Sequence, residues 1–347
     1  MVKNDDVVVA THGRAFWILD DISPLRQMSA ENAAKDAHLF APATAIRTRG
    51  GGGFGGGAAT AGQNPPNGAF LYYNLKSVPE GEITIEILDA KGATVRKFSS
   101  RAPDAAEGQQ PAGPFGGQAA PRVPKEKGLN RFVWNLRYED ASRVQPLILW
   151  AGGVQGPLAV PGAYQVKLTA GGKSQTVPLD VRPDPRVQTS QADLQKQFDL
   201  LMQIRAKVTE THDAINQLRD VRTQIQALRK RHADNAKAKD LLAQAEALEK
   251  KLDPIEESLI QRKASSGQDL LNWPIMLNNK LTALAGIVES ADTAPTEQSY
   301  EVFKYLVGQI DPVLAKWREV KEKDVPALNA AARRIELPAV QVTAPKP

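Results

Sequence analysis

Two pairs of polar residues near the start of the chain come closest to a chemical constellation. Asp20 and Asp21 are adjacent carboxylates, and His12 and Arg14 flank Gly13. Glycoside hydrolysis needs two carboxyl groups facing one another across a cleft. Neighbouring residues on a strand point to opposite faces. Asp20 and Asp21 are therefore expected to end a strand and cap the chain's exit, not to share a sugar. His12 and Arg14 lie in a Thr-His-Gly-Arg turn, where an imidazole and a guanidinium could contact a ligand beside a surface pocket. The same turn is complete without a ligand, with Gly13 at positive φ.

The other candidate groups point to structure. His38, His212 and His232 are scattered, and none stands in a Glu-x-x-His arrangement, so no metal site is expected. The absence of cysteine excludes disulfides, thiolate metal sites and cysteine nucleophiles. The glycine run at 50–57 lacks the Gly-Lys-Ser/Thr ending of a phosphate loop. It reads as a flexible linker, and no cofactor is expected. Arg229, Lys230, Arg231 and His232 fall where a helix should end, where cations complement the macrodipole. A net charge of +5 from 44 basic and 39 acidic residues is diffuse, so no nucleic-acid partner is expected. No run of 18 apolar residues suggests a membrane span. Met1 to Asp6 carries no apolar signal core.

The elements that must position these residues follow from periodicity. Asp6–Thr11 and Ala15–Leu19 are short apolar runs joined by a tight turn, which predicts a hairpin. A lone hairpin is marginal in water, so its partner strands are expected upstream of Met1. From 68 to 182, about seven short alternating runs separated by turn residues predict a two-sheet sandwich. These include 70–75, 82–88, 94–100, 130–138, 146–150, 163–170 and 174–181. Trp134, Trp150 and Tyr164 are the expected core aromatics. Pro183 and Pro185 make 183–189 a stiff linker. From Ser190 the apolar spacing becomes three and four. Leu194, Phe198, Leu201, Ile204, Val208, Ile215 and Leu218 mark one helix, and Leu241, Leu248, Leu252, Ile255 and Leu259 a second. A short polar turn between them predicts an antiparallel helical hairpin. Helices over about 268–290 and 296–322 complete a bundle, with Trp273 and Trp317 as expected plugs. Thr211 and Arg222 interrupt the first seam, which favours a mixed bundle over a strict coiled coil.

Two segments carry a family resemblance. ATHGRAFWILDDISPLRQ (10–27) resembles the closing strands of the last blade in bacterial sortilin-type β-propeller proteins with neuraminidase-type repeats, often labelled glycosyl hydrolases. WPIMLNNKLTALAGIVESADTAPTEQSYEVF (273–303) resembles the C-terminal helical region of the same family. EILDAKGATVRKF, GLNRFVWNL and PGAYQVKL resemble the Ig-like domain of flagellar hook-capping proteins. The resemblance implies a multidomain β + α chain. Its parts are last propeller strands at 1–25, a Gly-rich linker at 26–67, and an Ig-like sandwich at 68–182 with a flexible insertion at 102–127. The 183–189 linker, a bundle at 190–335 and a tail at 336–347 follow. It implies a non-catalytic accessory region of a secreted or periplasmic protein. The partner would be the upstream propeller of the same polypeptide, with a further protein partner or self-association through the bundle. The alternative is the C-terminal part of a glycoside hydrolase whose active site lies in the propeller. His12 and Arg14 are the expected ligand-binding residues, in the intact propeller only.

Overall fold

The computed structural model describes residues 1–3, 5–49, 65–102 and 121–344. The chain divides into two compact units. The first holds Met1–Glu139 and Leu158–Gln191, and the second Asp140–Pro157 and Ala192–Pro347. The 48–67 glycine-rich stretch and the 102–127 insertion fall mostly outside the described residues.

The first unit opens with β1 (Val2–Lys3), β2 (Asp6–Ala10) and β3 (Phe16–Leu19), an antiparallel three-stranded sheet in that order. Two short helices follow, α1 (Ser23–Gln27) and α2 (Ala30–Ala34). The Ser29 side chain accepts from Asn32 N and caps α2. Next come β4 (Ala37–Leu39) and β5 (Ala45–Arg47). This corrects the expectation of a linker from residue 26. β4 pairs antiparallel with β6 (Ala69–Leu75), and β5 runs parallel to β11 (Lys173–Pro183). Both strands are too short to show a period, which is why composition alone hid them.

The remaining strands are β7 (Thr84–Asp89), β8 (Thr94–Ser99), β9 (Gly128–Trp134) and β10 (Gly162–Ala170). They form a five-stranded sheet, β5-β11-β10-β7-β8, and a three-stranded sheet, β4-β6-β9. Residues of both sheets share one core, including Leu71, Tyr73 and Trp134 from the smaller and Ile85, Val166 and Leu179 from the larger. Gly171 and Gly172, both at positive φ, form the two-residue turn that pairs Ala170 with Lys173. Trp134 and Tyr164 are core residues as expected, edge to face at 5.6 Å between centroids. Their polar tips are satisfied: Trp134 Nε1 donates to Arg137 O at 2.9 Å, and Tyr164 Oη to Val160 O at 2.7 Å. Tyr73 Oη donates to Pro124 O. Burial pushes the phenols of Tyr73 and Tyr164 up.

The second unit is helical. α3 (Gln191–Arg231) is 41 residues long, about 60 Å at 1.5 Å per residue. α4 (Lys239–Leu259) returns antiparallel to it. The direction is fixed by ion pairs from Arg219 to Glu256 and from Arg229 to Glu249 and Glu246. Asn235 caps the intervening turn by accepting from Lys237 N. Arg229, in the basic end of α3, thus pairs with α4 carboxylates. α5 (Leu277–Val288) starts later than its apolar pattern suggests. Pro274 has no N–H for a helix interior, and residues Gly267–Leu271 form a separate 3₁₀ turn closed by a Ser266–Asp269 capping box. α6 (Glu297–Glu319) starts at the Thr296 cap and runs through a π-helical turn, Val320–Asp324, into α7 (Val325–Arg334).

The apolar seams of α3 and α4 are buried in the unit's own core with Leu281, Leu284, Leu306, Ile310, Leu314 and Trp317. Two expectations are corrected here. Residues 146–150 form no strand, and their segment belongs to the helical unit. Trp150 and Trp273 are not core residues, being 52% and 40% exposed. The tail is fastened up to Thr343 by the side chains described below.

Candidate interaction surfaces

Sheet β1-β2-β3 presents apolar side chains on both faces. Residues opposite one another across a ladder share a face, and successive residues alternate. The register pairs Val7 with Leu19 and Val9 with Trp17 on one face, and Val8 with Ile18 and Ala10 with Phe16 on the other. Phe16, Trp17, Ile18 and Leu19 are each more than half exposed. An ordinary surface sheet alternates apolar and polar residues because water covers one face. β3 has no polar face, and its outer edge is unpaired among the described strands.

His12 and Arg14 are both exposed, in the β2–β3 turn. Thr11 N and Oγ1 donate to Ala15 O at 3.2 and 3.0 Å, and Trp17 Nε1 donates to Arg14 O at 3.2 Å. Gly13 takes φ +77° and Ala15 φ +66°. A left-handed alanine costs about 1–2 kcal/mol, so the turn is held partly by that hydrogen-bonded frame. The acids at the other end of the hairpin hold backbone: Asp6 Oδ1 accepts from Asp21 N, and Asp21 Oδ1 from Ser23 N, both at 3.0 Å.

The second surface was not foreseen. Residues 140–157 form a closed strap inside the helical unit, with Ala141 N donating to Val154 O at 2.7 Å and Gly156 N to Asp140 Oδ1 at 3.1 Å. Ala141, Val144 and Val154 enter the bundle core. One face of α3 grips its main chain through Arg205, Thr209, His212, Asn216 and Arg219. Their spacings of four, three, four and three put all five on one stripe. Arg205 Nη2 donates to Asp140 O at 3.2 Å, Asn216 Nδ2 to Arg143 O at 2.8 Å and Arg219 Nη1 to Gln145 O at 2.8 Å. Thr209 Oγ1 accepts from Ser142 N at 3.3 Å.

α5 holds the far end of the strap. Asn279 Oδ1 accepts from Trp150 N at 2.8 Å, and Asn279 Nδ2 donates to Ala151 O at 2.8 Å. A Cβ at Gly152 would lie 2.0 Å from Thr282 O, so only glycine fits there.

His212 is fully buried and its tautomer is determined by its neighbours. Asn278 Oδ1 accepts from Asn279 N at 2.7 Å, which turns Asn278 Nδ2 toward His212 Nε2 at 3.4 Å. Nε2 is therefore the acceptor, and Nδ1–H donates to Ser142 O at 2.6 Å. Burial holds the imidazole below its usual pKa, with Arg219 adding to the effect and Ser142 and Asp213 opposing it. Behind Arg219 stands Glu256, 2% exposed, which accepts from Arg219 Nε at 2.7 Å and Arg222 Nη1 at 2.6 Å. Glu256 on α4 thus orients the arginine that holds Gln145.

The tail is read in the same way by other residues. Asn329 makes two bonds to Val340, from Nδ2 to O and from N to Oδ1, both 2.7 Å. Gln224 makes the equivalent pair to Gln341, both 2.8 Å. A groove of about 170 Å³ between α4 and α6 has an apolar floor of Pro254, Ile255, Val313 and Val320. Lys251 at its rim is paired to Asp324 at 2.8 Å.

Among the described residues, no group of three or more His, Asp or Glu is placed to hold a metal ion, and no helix is long and apolar enough to cross a membrane. No family model, curated protein or solved structure matches the chain.

Proposed function

We propose that the chain is a non-catalytic accessory and interaction region of a secreted or periplasmic sortilin-type β-propeller protein. In this reading β1-β2-β3 completes a blade of the propeller, the two-sheet layer is an Ig-like spacer, and the helical unit supplies a protein-docking surface. The observation that supports it most is the sheet apolar on both faces. A propeller blade lies between two neighbouring blades and needs apolar residues on both sides. A sheet capping a core from outside needs them on one. In a blade, the His12–Arg14 turn would sit at one rim of the propeller, where both side chains could meet a ligand. Asp6 and Asp21, at the other end of the hairpin from that turn, are engaged with backbone N–H groups, in keeping with a region that does no hydrolysis.

The test is to read the DNA immediately 5′ of the Met1 codon. The proposal expects an open frame encoding repeated blade-like strands. An in-frame stop followed by a ribosome-binding site would overturn it. The non-catalytic part is checked separately with fluorogenic glycosides: the purified chain should give no turnover, and saturable hydrolysis would refute it.

A further inference from the structure

The helical unit holds the segment after α7 as a receptor holds a peptide. The tail turns at Glu336, φ +60°, and then runs extended across α7 and α3. Two consecutive residues are each bound by a side-chain amide at both N–H and C=O, Val340 by Asn329 and Gln341 by Gln224. Gln217 Nε2 donates to Thr343 O at 3.1 Å. These bonds read main chain and are indifferent to side chains. Selectivity comes from three further contacts. Val340 is 6% exposed and sits in the bundle core, and Val342 packs on the same core with Gln341 facing outward. That alternation is the one an extended peptide makes on a surface. Thr343 Oγ1 donates to Asp220 Oδ2 at 2.9 Å. The Gln224 amide reaches the same oxygen at 3.1 Å, so Asp220 both orients the reading amide and selects a hydroxyl.

We propose that this α3–α7 surface is a binding site for an extended peptide of the pattern Val-x-Val-Thr, with the chain's own tail as its detachable resident occupant. A tail joined by one short turn has an effective concentration in the millimolar range. It therefore masks the site until something displaces it. The inference stands on contacts within the helical unit and does not depend on the propeller reading.

The test uses the full chain. Val340→Asp places a carboxylate in the apolar anchor position and leaves every residue of the site intact. A fluorescein-labelled peptide of the sequence Leu337–Ala344 is titrated into wild type and V340D, with anisotropy as the readout. V340D should bind the peptide saturably, at least tenfold more tightly than wild type does. A peptide carrying the same Asp should not bind to V340D. No saturable binding to folded V340D would overturn the proposal, as would equal binding of the two peptides. Amide hydrogen exchange on the wild-type chain is the second measurement and needs no variant. Val340 N–H and Gln341 N–H should exchange at least a hundredfold faster than the amides of central α3, by local release of the tail. Exchange of these two amides only at the rate of global unfolding would mean the tail is fixed core, and would equally refute a detachable occupant.

Discussion

Replacing Glu256 with alanine should destabilise the helical unit more than any surface charge change. The carboxylate is 2% exposed, while the side chains of its partners Arg219, Arg222 and Arg262 are 28%, 12% and 33% exposed. Arg222 Nε has no hydrogen-bond partner among the described residues, so that guanidinium depends on Glu256 and on Asp253 at 3.1 Å. Removing one member of a buried pair leaves the other charge desolvated, at a cost of about 3–5 kcal/mol. With a urea m-value of about 3 kcal/mol/M, the midpoint should fall by about 1–2 M. The assay is urea unfolding followed by circular dichroism at 222 nm, which the helical unit dominates. The double variant Glu256→Ala with Arg222→Leu should recover part of the loss, because it removes the stranded charge as well. A loss below about 1 kcal/mol for the single variant would refute the reasoning, since that is the range of an exposed pair.

Gly152→Ala should cost about 2–4 kcal/mol, from a left-handed φ of +76° and a Cβ 2.0 Å from Thr282 O; an unchanged thermal midpoint would show that the strap shifts freely. His212 should make the helical unit acid-sensitive. Its folded pKa lies below the ordinary value of 6.5, so the unfolded chain binds the proton first. Its contribution is present in full above about pH 6.5 and is lost as pH falls below it, by up to about 1.4 kcal/mol per pH unit. A second proton on the ring would also set Nε2–H against Asn278 Nδ2. Urea unfolding between pH 7.5 and 5 checks this, and His212→Gln should flatten the slope; equal slopes would remove His212 as the cause.

Much of the helical unit was legible because a buried helix leaves a repeating mark. Leu201, Ile204, Val208, Ile215 and Leu218 all lie in the core that their spacing announces. The strap was misread for a physical reason. PLILW is apolar and five residues long, and a run of that size reads equally as a strand or as an irregular segment pressed on a core. The signal that could have placed it was on α3. Arg205, Thr209, His212, Asn216 and Arg219 form a polar stripe at helical spacing beside an apolar one, and a polar stripe so placed has main chain to satisfy. Viewed singly, His212 is only a lone histidine. The tail hides its anchors similarly: Val340 and Val342 are too few to make a pattern, and Asn329 and Gln224 are ordinary helix-surface residues until a backbone lies across them. β4 and β5 were lost because three residues cannot show an alternation. The N-terminal hairpin was plain from its β-branched and aromatic runs, and its pairing follows the expected turn.

The claim that β1-β2-β3 is a layer with partners on both sides can be tested at two positions. The chain has no cysteine, so a single introduced thiol reports without background. Trp17→Cys probes one face and Ile18→Cys the other. Each is made in this chain and in the upstream-extended polypeptide that the proposal expects, and the rate of reaction with a thiol reagent at that position is measured. The account predicts rates near those of an unstructured thiol in the chain alone, and slowing of at least a hundredfold at both positions in the extended polypeptide. Protection at one position only, or at neither, would contradict a blade held between two neighbours.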